Sequence, residues 1–339
     1  MCDMDISVST KETGGALQAR LRQSSKLPTH SVYAFGSNDE HQCMVAIDTD
    51  EDQVMASQDI LLPMPATALP AAIAIRSLAF GSSHTALLTV EGSVYTTGLN
   101  HNGQCGVPHP EVLTTPKRLE SLAMSFTAVL VSAGGSYTAI VMSDGQTATF
   151  GANDTGQCGL GADAAIDIRK PRMLKNAKGG AADFSSVACG EQHTLFIDSA
   201  GQVSSCGLGR FGALGHGDTE TRNVATTIAA IAAVPIRKVA AGERHSVALT
   251  FGGGVIAWGH GQSDALGLQW TSSGLEQLTP RHLPTLRRGV SMIAAGGSHT
   301  LALQTDGTLL GWGRGTCGAA PNESRTPQQV RPQRSKEVE

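Results

Sequence analysis

The stretch that decides the fold is GGSHTLALQTDGTLLGWG at residues 296–313. The motif consists of a Gly, a His or Tyr three residues later with a Ser or Thr directly after it, and two further Gly. The same spacing recurs in five copies without variation, and successive copies lie between 52 and 56 residues apart. A fixed period of this size is typical of a propeller or another repeat array, in which each unit buries its apolar face against the next.

The most regular positions of the repeat are a Gly and, three residues later, an aromatic side chain. They are predicted to be structural, because a residue that recurs once per unit is more typical of folding than of catalysis. These ten positions are Gly81, His84, Gly134, Tyr137, Gly190, His193, Gly242, His245, Gly296 and His299. Four other histidines, in loops after the third strand, are weaker candidates for a functional role: His41, His101, His216 and His260.

Each unit reads as a set of short strands. In the fifth copy, residues 291–295, 300–304 and 308–312 are partly alternating apolar runs bounded by Gly, and Asp306-Gly307 between the last two predicts a tight hairpin. A fourth strand is predicted to begin near a Pro, since Pro is tolerated on an edge strand. The Pro residues are Pro116, Pro171, Pro280 and Pro327. Four strands make one propeller blade.

These residues resemble the regulator of chromosome condensation repeat, a β-propeller family. The signature is Gly-x-x-His-Thr, Asp-Gly and Trp-Gly, followed by a Gly-Gln-Leu-Gly element that stands here as Gly103-Gln104-Cys105-Gly106 and Gly156-Gln157-Cys158-Gly159. The resemblance implies an all-β fold, a β-propeller of four-stranded blades. The Gly of Trp-Gly recurs six times and the Gly-x-x-His element five times, so six units are recognisable. A six-bladed ring and an incomplete seven-bladed ring both stay open.

The resemblance also divides the chain. Residues 1–30 form an N-terminal segment that supplies degenerate strands of the first blade, for example Asp5–Thr10 and Leu17–Leu21, or leaves the ring short there. Residues 31–331 form the propeller, and residues 332–339 form a C-terminal tail.

Composition excludes several classes of function. The net charge of −4 disfavours nucleic acid, whose partners present basic patches. No apolar run is long enough to insert into a membrane, and no secretory signal begins the sequence. The seven Cys include no C-x-x-C pair. Free Cys favours an intracellular, reducing compartment, and we expect cytoplasm or cilium before nucleus or mitochondrion.

No cofactor, metal site or catalytic residue is predicted. The segment 207–212 matches the dinucleotide pattern G-x-G-x-x-G, but no helical pattern follows it, so it is interpreted as a blade loop. The histidines at the repeat position are predicted to satisfy backbone groups rather than to form a metal ring.

Two features fall outside the repeat and are the predicted partner-binding residues. Trp270 lies in a loop with no periodic counterpart, and an exposed Trp is enriched at interface hot spots. The longest interval between copies carries an acidic run that includes Asp50, Glu51 and Asp52. Either feature could contact another protein.

The sequence therefore favours a non-enzymatic protein–protein interaction scaffold that is a subunit of a larger assembly. The alternative is guanine-nucleotide exchange on a small GTPase, which in the resembled family relies on an inserted hairpin. Here no interval outside residues 47–62 is long enough for such an insertion, and that stretch carries acids instead of hairpin signals. The family's plant ultraviolet-photoreceptor branch is disfavoured, because Trp258 and Trp312 fill the repeat's own Trp position.

Overall fold

The computed structural model describes residues 33–36, 60–65, 73–120, 127–175, 180, 182–261, 264–268, 276–314 and 324–330. The predicted segments 1–30 and 332–339 lie outside these residues, so the domain limits stay a prediction. Within the described residues the regular structure is antiparallel β-sheet with short 3-10 turns at Arg210–Gly212 and Ala229–Ile231. No helix in that part of the chain has the length and apolarity needed to cross a bilayer.

The chain forms two compact units. The first comprises residues 1–154 and 164–175 and holds two four-stranded sheets and one two-stranded sheet among its described residues. Its strands are β1 (Tyr33–Gly36), β2 (Ile60–Pro65), β3 (Ile75–Phe80), β4 (His84–Thr89), β5 (Val94–Leu99), β6 (Val112–Arg118), β7 (Ala128–Ala133), β8 (Tyr137–Met142), β9 (Thr147–Ala152) and β10 (Asp167–Met173).

The second unit comprises residues 155–163 and 176–339, and its described residues form three four-stranded sheets. Its strands are β11 (Ser186–Cys189), β12 (His193–Ile197), β13 (Val203–Gly207), β14 (Arg222–Thr227), β15 (Ile236–Ala241), β16 (His245–Thr250), β17 (Val255–His260), β18 (Glu276–His282), β19 (Val290–Ala295), β20 (His299–Gln304), β21 (Leu309–Gly313) and β22 (Ser324–Gln329).

Each four-stranded sheet is a blade whose strands pair in chain order. In four of the five blades the second strand is buried along most of its length, and all six residues of β4 and of β8 are shielded from solvent. The hairpins between second and third strands turn at a Gly with positive φ, such as Gly307 at +85°. The predicted all-β fold of four-stranded blades is confirmed.

The prolines of the outer strands do not lie where the sequence predicted. They were expected to begin the fourth strand, but Pro116 lies inside β6 and Pro280 inside β18. The pairing register shifts at these points, so that three residues of β18 oppose the single residue Trp258 of β17. Pro is tolerated there because bulged residues leave the hydrogen-bonded ladder.

The blades of the second unit pack through two apolar cores. One core joins residues of the β11–β14 blade to those of the β15–β18 blade, with Leu195, Ile256 and Trp258 fully buried. The other joins the β15–β18 blade to the β19–β22 blade around Val247, Leu249 and Trp312. Each Trp therefore packs between two blades, and burying such an aromatic contributes more than any other single side chain of the core.

Candidate functional site

The repeat histidines connect neighbouring blades by hydrogen bonds to the repeat hydroxyls. The His84 Nε2 atom lies 2.8 Å from the Thr138 hydroxyl oxygen. In the second unit, His193 Nε2 lies 2.9 Å from the Ser246 hydroxyl and His245 Nε2 lies 3.0 Å from the Thr300 hydroxyl. In each pair the His begins the second strand of one blade, and the hydroxyl follows the aromatic position of the next.

The same hydroxyls donate their own hydrogen to a backbone carbonyl. Ser246 Oγ donates to the Ala213 carbonyl at 2.8 Å, and Thr300 Oγ1 donates to the Ala265 carbonyl at 2.7 Å. A hydroxyl has one hydrogen, so it must accept from the imidazole, and the His245 ring therefore carries its hydrogen on Nε2. The resulting chain of His, hydroxyl and loop carbonyl is called the interblade ladder below.

Burial keeps the ladder histidines neutral. Desolvation lowers the pKa of His84 and of His193 to about 4 and that of His245 to about 3, the neighbouring histidines adding to the effect at His245. A neutral imidazole with one donor suits a single hydroxyl partner. These histidines are therefore held as hydrogen-bonding groups of the fold, and none is poised near pH 7 for proton transfer.

The invariant Gly of the motif makes room for the ladder. A Cβ atom at Gly242 would overlap the His245 imidazole and the Gly296 carbonyl oxygen. Gly190 stands in the same relation to His193 and the Gly242 carbonyl. The three-residue spacing between Gly and His follows from this close approach.

The Trp position of the repeat adds a second donor to the ladder carbonyl. Trp258 Nε1 donates to the Ala213 carbonyl at 2.9 Å, and Trp312 Nε1 donates to the Ala265 carbonyl at 2.8 Å. Cys206 holds the same position in the β11–β14 blade, where its thiol lies 3.5 Å from the Gln157 carbonyl. These Trp and Cys residues are structural, and burial raises the pKa of the Cys206 thiol.

A cluster outside the repeat template lies at the loop end of the second unit. Phe211, in the loop after β13, packs its ring against the His260 ring with centroids 4.2 Å apart. The Arg210 guanidinium lies 4.8 Å from the Phe211 ring centroid and that of Arg244 lies 5.4 Å away. Arg244 also pairs with Glu243 at 2.9 Å. We call Arg210, Phe211 and Arg244 the loop cluster.

The loop that carries Phe211 departs from its counterparts. After β5, the equivalent loop is fastened by Asn100, whose amide donates to the Val107 and Pro110 carbonyls. Gly209 occupies that position after β13, and a Cβ there would overlap the Glu220 carbonyl. Phe211 itself adopts φ 63°, a left-handed conformation that is costly for a bulky residue.

A small polar cavity of about 70 Å³ adjoins the loop cluster. Partial burial, followed by the charge of Arg244, lowers the pKa of His260 on its wall. The cavity wall carries the Arg244 guanidinium, the Ser298 hydroxyl and the Glu243 carboxylate. Its lining residues are Glu243, Arg244, His245, His260, Ala265, Gly297 and Ser298.

The predicted partner-binding residues Trp270, Asp50, Glu51 and Asp52 lie outside the described residues, so their role stays a prediction. The sequence reasoning missed the loop cluster. An in-register comparison of the loops could have singled out Phe211, because Asn102 and Thr155 stand at the same repeat position. In the part of the chain that the structure describes, no three His, Cys, Asp or Glu side chains come together as metal ligands.

Four-stranded blades joined by this ladder define a β-propeller of the chromosome condensation regulator type. The family model for the RCC1-like domain matches residues 25–339, and the chain belongs to that family. The predicted family is thus confirmed.

Curated relatives include the ultraviolet-B receptor UVR8 of Arabidopsis thaliana, 32% identical over 77% of this chain and 58% of that protein. The secretion-regulating guanine nucleotide exchange factor of Bos taurus is 28% identical over 68% of this chain and 50% of its own length. The E3 ubiquitin-protein ligase HERC2 of Homo sapiens is 30% identical over 85% of this chain but 6% of its own length. The chain thus spans less than two thirds of these relatives.

Solved structures show the same fold. Human WBSCR16 superposes with a TM-score of 0.75 at 24% identity, over 88% of this chain and 78% of that one. Prp20p of Saccharomyces cerevisiae, studied with its binding to Gsp1p and histones, superposes with a TM-score of 0.58 at 20% identity over 89% of this chain and 86% of that one. At these identities the likeness concerns the fold alone.

Proposed function

We propose that this chain is a non-enzymatic scaffold for protein–protein interaction and serves as a subunit of a larger assembly. The observation that carries the proposal is that the second unit has two sets of side chains, one bonded inside the fold and one exposed to solvent. Its ladder groups bond one another inside the fold, whereas Arg210 and Arg244 are exposed around Phe211. Arg and aromatic side chains are the residues most enriched at interface hot spots.

The geometry of the loop cluster supports recognition of a protein surface. Stacking on the Phe211 ring, which is itself packed against His260, limits the freedom of the two guanidinium groups, so that less side-chain entropy is lost on binding. The left-handed φ of Phe211 is a local cost that the ladder does not require. Such conformations are concentrated at sites of function.

The test is partner recovery with the full chain. A tagged copy purified from its native cell is compared with a variant carrying Arg210→Ala, Phe211→Ala and Arg244→Ala, and with the control Arg281→Ala. Arg281 is an exposed arginine of β18 in the same unit. We expect the triple variant to lose specific partners, quantified by mass spectrometry, while the control retains them. Full retention by a folded triple variant would refute this face as the interface.

The alternative function is guanine-nucleotide exchange on a small GTPase. It is favoured by the similarity to the secretion-regulating exchange factor. Release of a fluorescent GDP analogue from a panel of small GTPases separates the two functions. A scaffold leaves the release rates unchanged, and a large acceleration by catalytic amounts of the chain would establish the alternative.

The proposal also includes the partner-binding residues that were predicted from the sequence. Trp270→Ala, or neutralisation of Asp50, Glu51 and Asp52, is expected to weaken partner binding while circular dichroism stays unchanged. The scaffold is proposed to work in a reducing compartment, because Cys105 and Cys206 are buried thiols outside any disulfide.

A further inference from the structure

The hairpin between β16 and β17 exposes a large aromatic side chain. Phe251 leads the turn Phe251-Gly252-Gly253-Gly254, and 65% of its surface is accessible to solvent. The turn is well fastened, because the Thr250 hydroxyl accepts a hydrogen bond from the Gly254 amide at 2.9 Å and the Phe251 amide donates to the Pro235 carbonyl at 3.2 Å. The ring is therefore displayed on a firm support.

Three of the other blades cap the equivalent hairpin with an Asp side chain. In three of the hairpins between second and third strands, an Asp carboxylate accepts backbone amides of its own turn. These residues are Asp144, Asp198 and Asp306. The β16–β17 hairpin has Gly252 where two of them have Asp, and Thr250 performs the capping. With Gly252 the hairpin lacks the negative charge of an Asp, and Phe251 before it carries an exposed ring that the turn does not need.

Backbone hydrogen bonds connect the Phe251 hairpin to an alanine-rich loop on one side and to a loop with two arginines on the other. The Pro235 contact brings in a loop whose Ala229, Ala230, Ala232 and Ala233 are exposed. On the other side, the Gly253 carbonyl accepts from the Val290 amide and the Val255 amide donates to the Leu286 carbonyl. These bonds hold the loop that carries exposed Arg287 and Arg288, for which no ion pair is found among the described residues.

We propose that this Phe251 surface, formed by Phe251, residues 229–235 and Arg287–Arg288, docks a short partner segment in which an apolar side chain is flanked by carboxylates. The apolar side chain packs on the Phe251 ring and the alanines, and the flanking carboxylates pair with the two guanidinium groups. Charge selects the partner: a segment flanked by Lys would place like charges against Arg287 and Arg288. The Phe251 surface lies at the opposite end of β16 and β17 from the loop cluster, so each site can be tested without altering the other.

The experiment begins with a random peptide library displayed on phage and panned against the full chain. An enriched peptide is then synthesised with flanking Glu and, as a matched probe, with the same core and flanking Lys, and both are titrated by fluorescence anisotropy. We expect the Glu-flanked probe to bind more tightly, with an affinity that falls as salt rises. Phe251→Ser should weaken it about tenfold or more, and Arg287→Glu with Arg288→Glu should abolish the preference for Glu over Lys.

The matched control is Val90→Ser. Val90 holds the same hairpin position between β4 and β5 and is 60% exposed, so its replacement should leave binding unchanged. Phe211→Ala should likewise leave this probe bound. Three results would overturn the proposal: failure to enrich any peptide whose binding depends on Phe251, equal binding of both probes, or Phe251-dependent binding to phosphatidylserine vesicles in place of peptide.

Discussion

Arg244 and His245 are neighbours in the chain, but the Arg244 side chain is exposed to solvent and the His245 side chain is buried. His245 is 1% exposed and bonds Thr300 inside the interblade ladder. The Arg244 side chain is 52% exposed, pairs with Glu243 and approaches the Phe211 ring. A side chain at a repeat position is therefore committed to contacts within the fold, whereas the side chain beside it is available for contacts with a partner.

Acid should produce the largest change, and it should act on the ladder. The pKa values of His84, His193 and His245 lie below the unfolded value of 6.5, so the unfolded chain binds more protons and stability falls as pH drops from 6.5 towards 4. Each histidine alone would contribute up to about 1.4 kcal/mol per pH unit. Urea unfolding between pH 7 and pH 5, where exposed carboxylates stay ionised, measures this slope, and a flat profile would contradict it.

The second-largest loss of stability is expected from His245→Ala. It removes the donor to the Thr300 hydroxyl inside the fold and should lower the free energy of unfolding by about 1–3 kcal/mol. The matched variant is Arg244→Ala, one residue earlier, for which a change within about 0.5 kcal/mol is expected. Urea denaturation of both decides the comparison: equal losses would mean that the ladder is no more important to stability than the loop cluster.

Trp258→Phe should cost less than His245→Ala. The Ala213 carbonyl would lose the indole donor but keep the Ser246 hydroxyl, and about 1–2 kcal/mol is expected from the lost bond and volume. Phe150 already fills the equivalent position in the β7–β10 blade, fully buried. If thermal and urea unfolding gave Trp258→Phe the larger loss, the ranking of the His245 hydrogen bond above the indole donor would be wrong.

The smallest effects on stability should come from Phe211. Phe211→Ala should stay within about 0.5 kcal/mol of the natural chain. Phe211→Gly should be about 1 kcal/mol more stable than Phe211→Ala, because Gly adopts the left-handed φ of 63° without strain. Both are expected to lose partner binding. Calorimetry beside the partner assay tests this, and a Gly variant less stable than the Ala variant would argue against strain at this residue.

Much of the fold could be predicted from local patterns. The Asp306-Gly307 hairpin and the second and third strands of each unit follow from glycine conformation and short apolar runs. The position of Pro280 could not, because a bulge depends on how β18 meets Trp258 across the sheet. The same holds for the candidate site, since Trp270 was chosen for lacking a periodic partner, and the structure instead brings Arg210 and Arg244 together from two different blades.

The sequence by itself determined the period and the family, and it predicted a structural role for positions such as Gly242 and His245, because these depend on a spacing that every unit repeats. Only the tertiary structure decided which carbonyl the Trp258 indole and the Ser246 hydroxyl share, and that Arg210, Phe211 and Arg244 form one cluster. The physical reason is that these contacts join one blade to the next. Their geometry is set by how the blades pack, and no spacing along the chain records it.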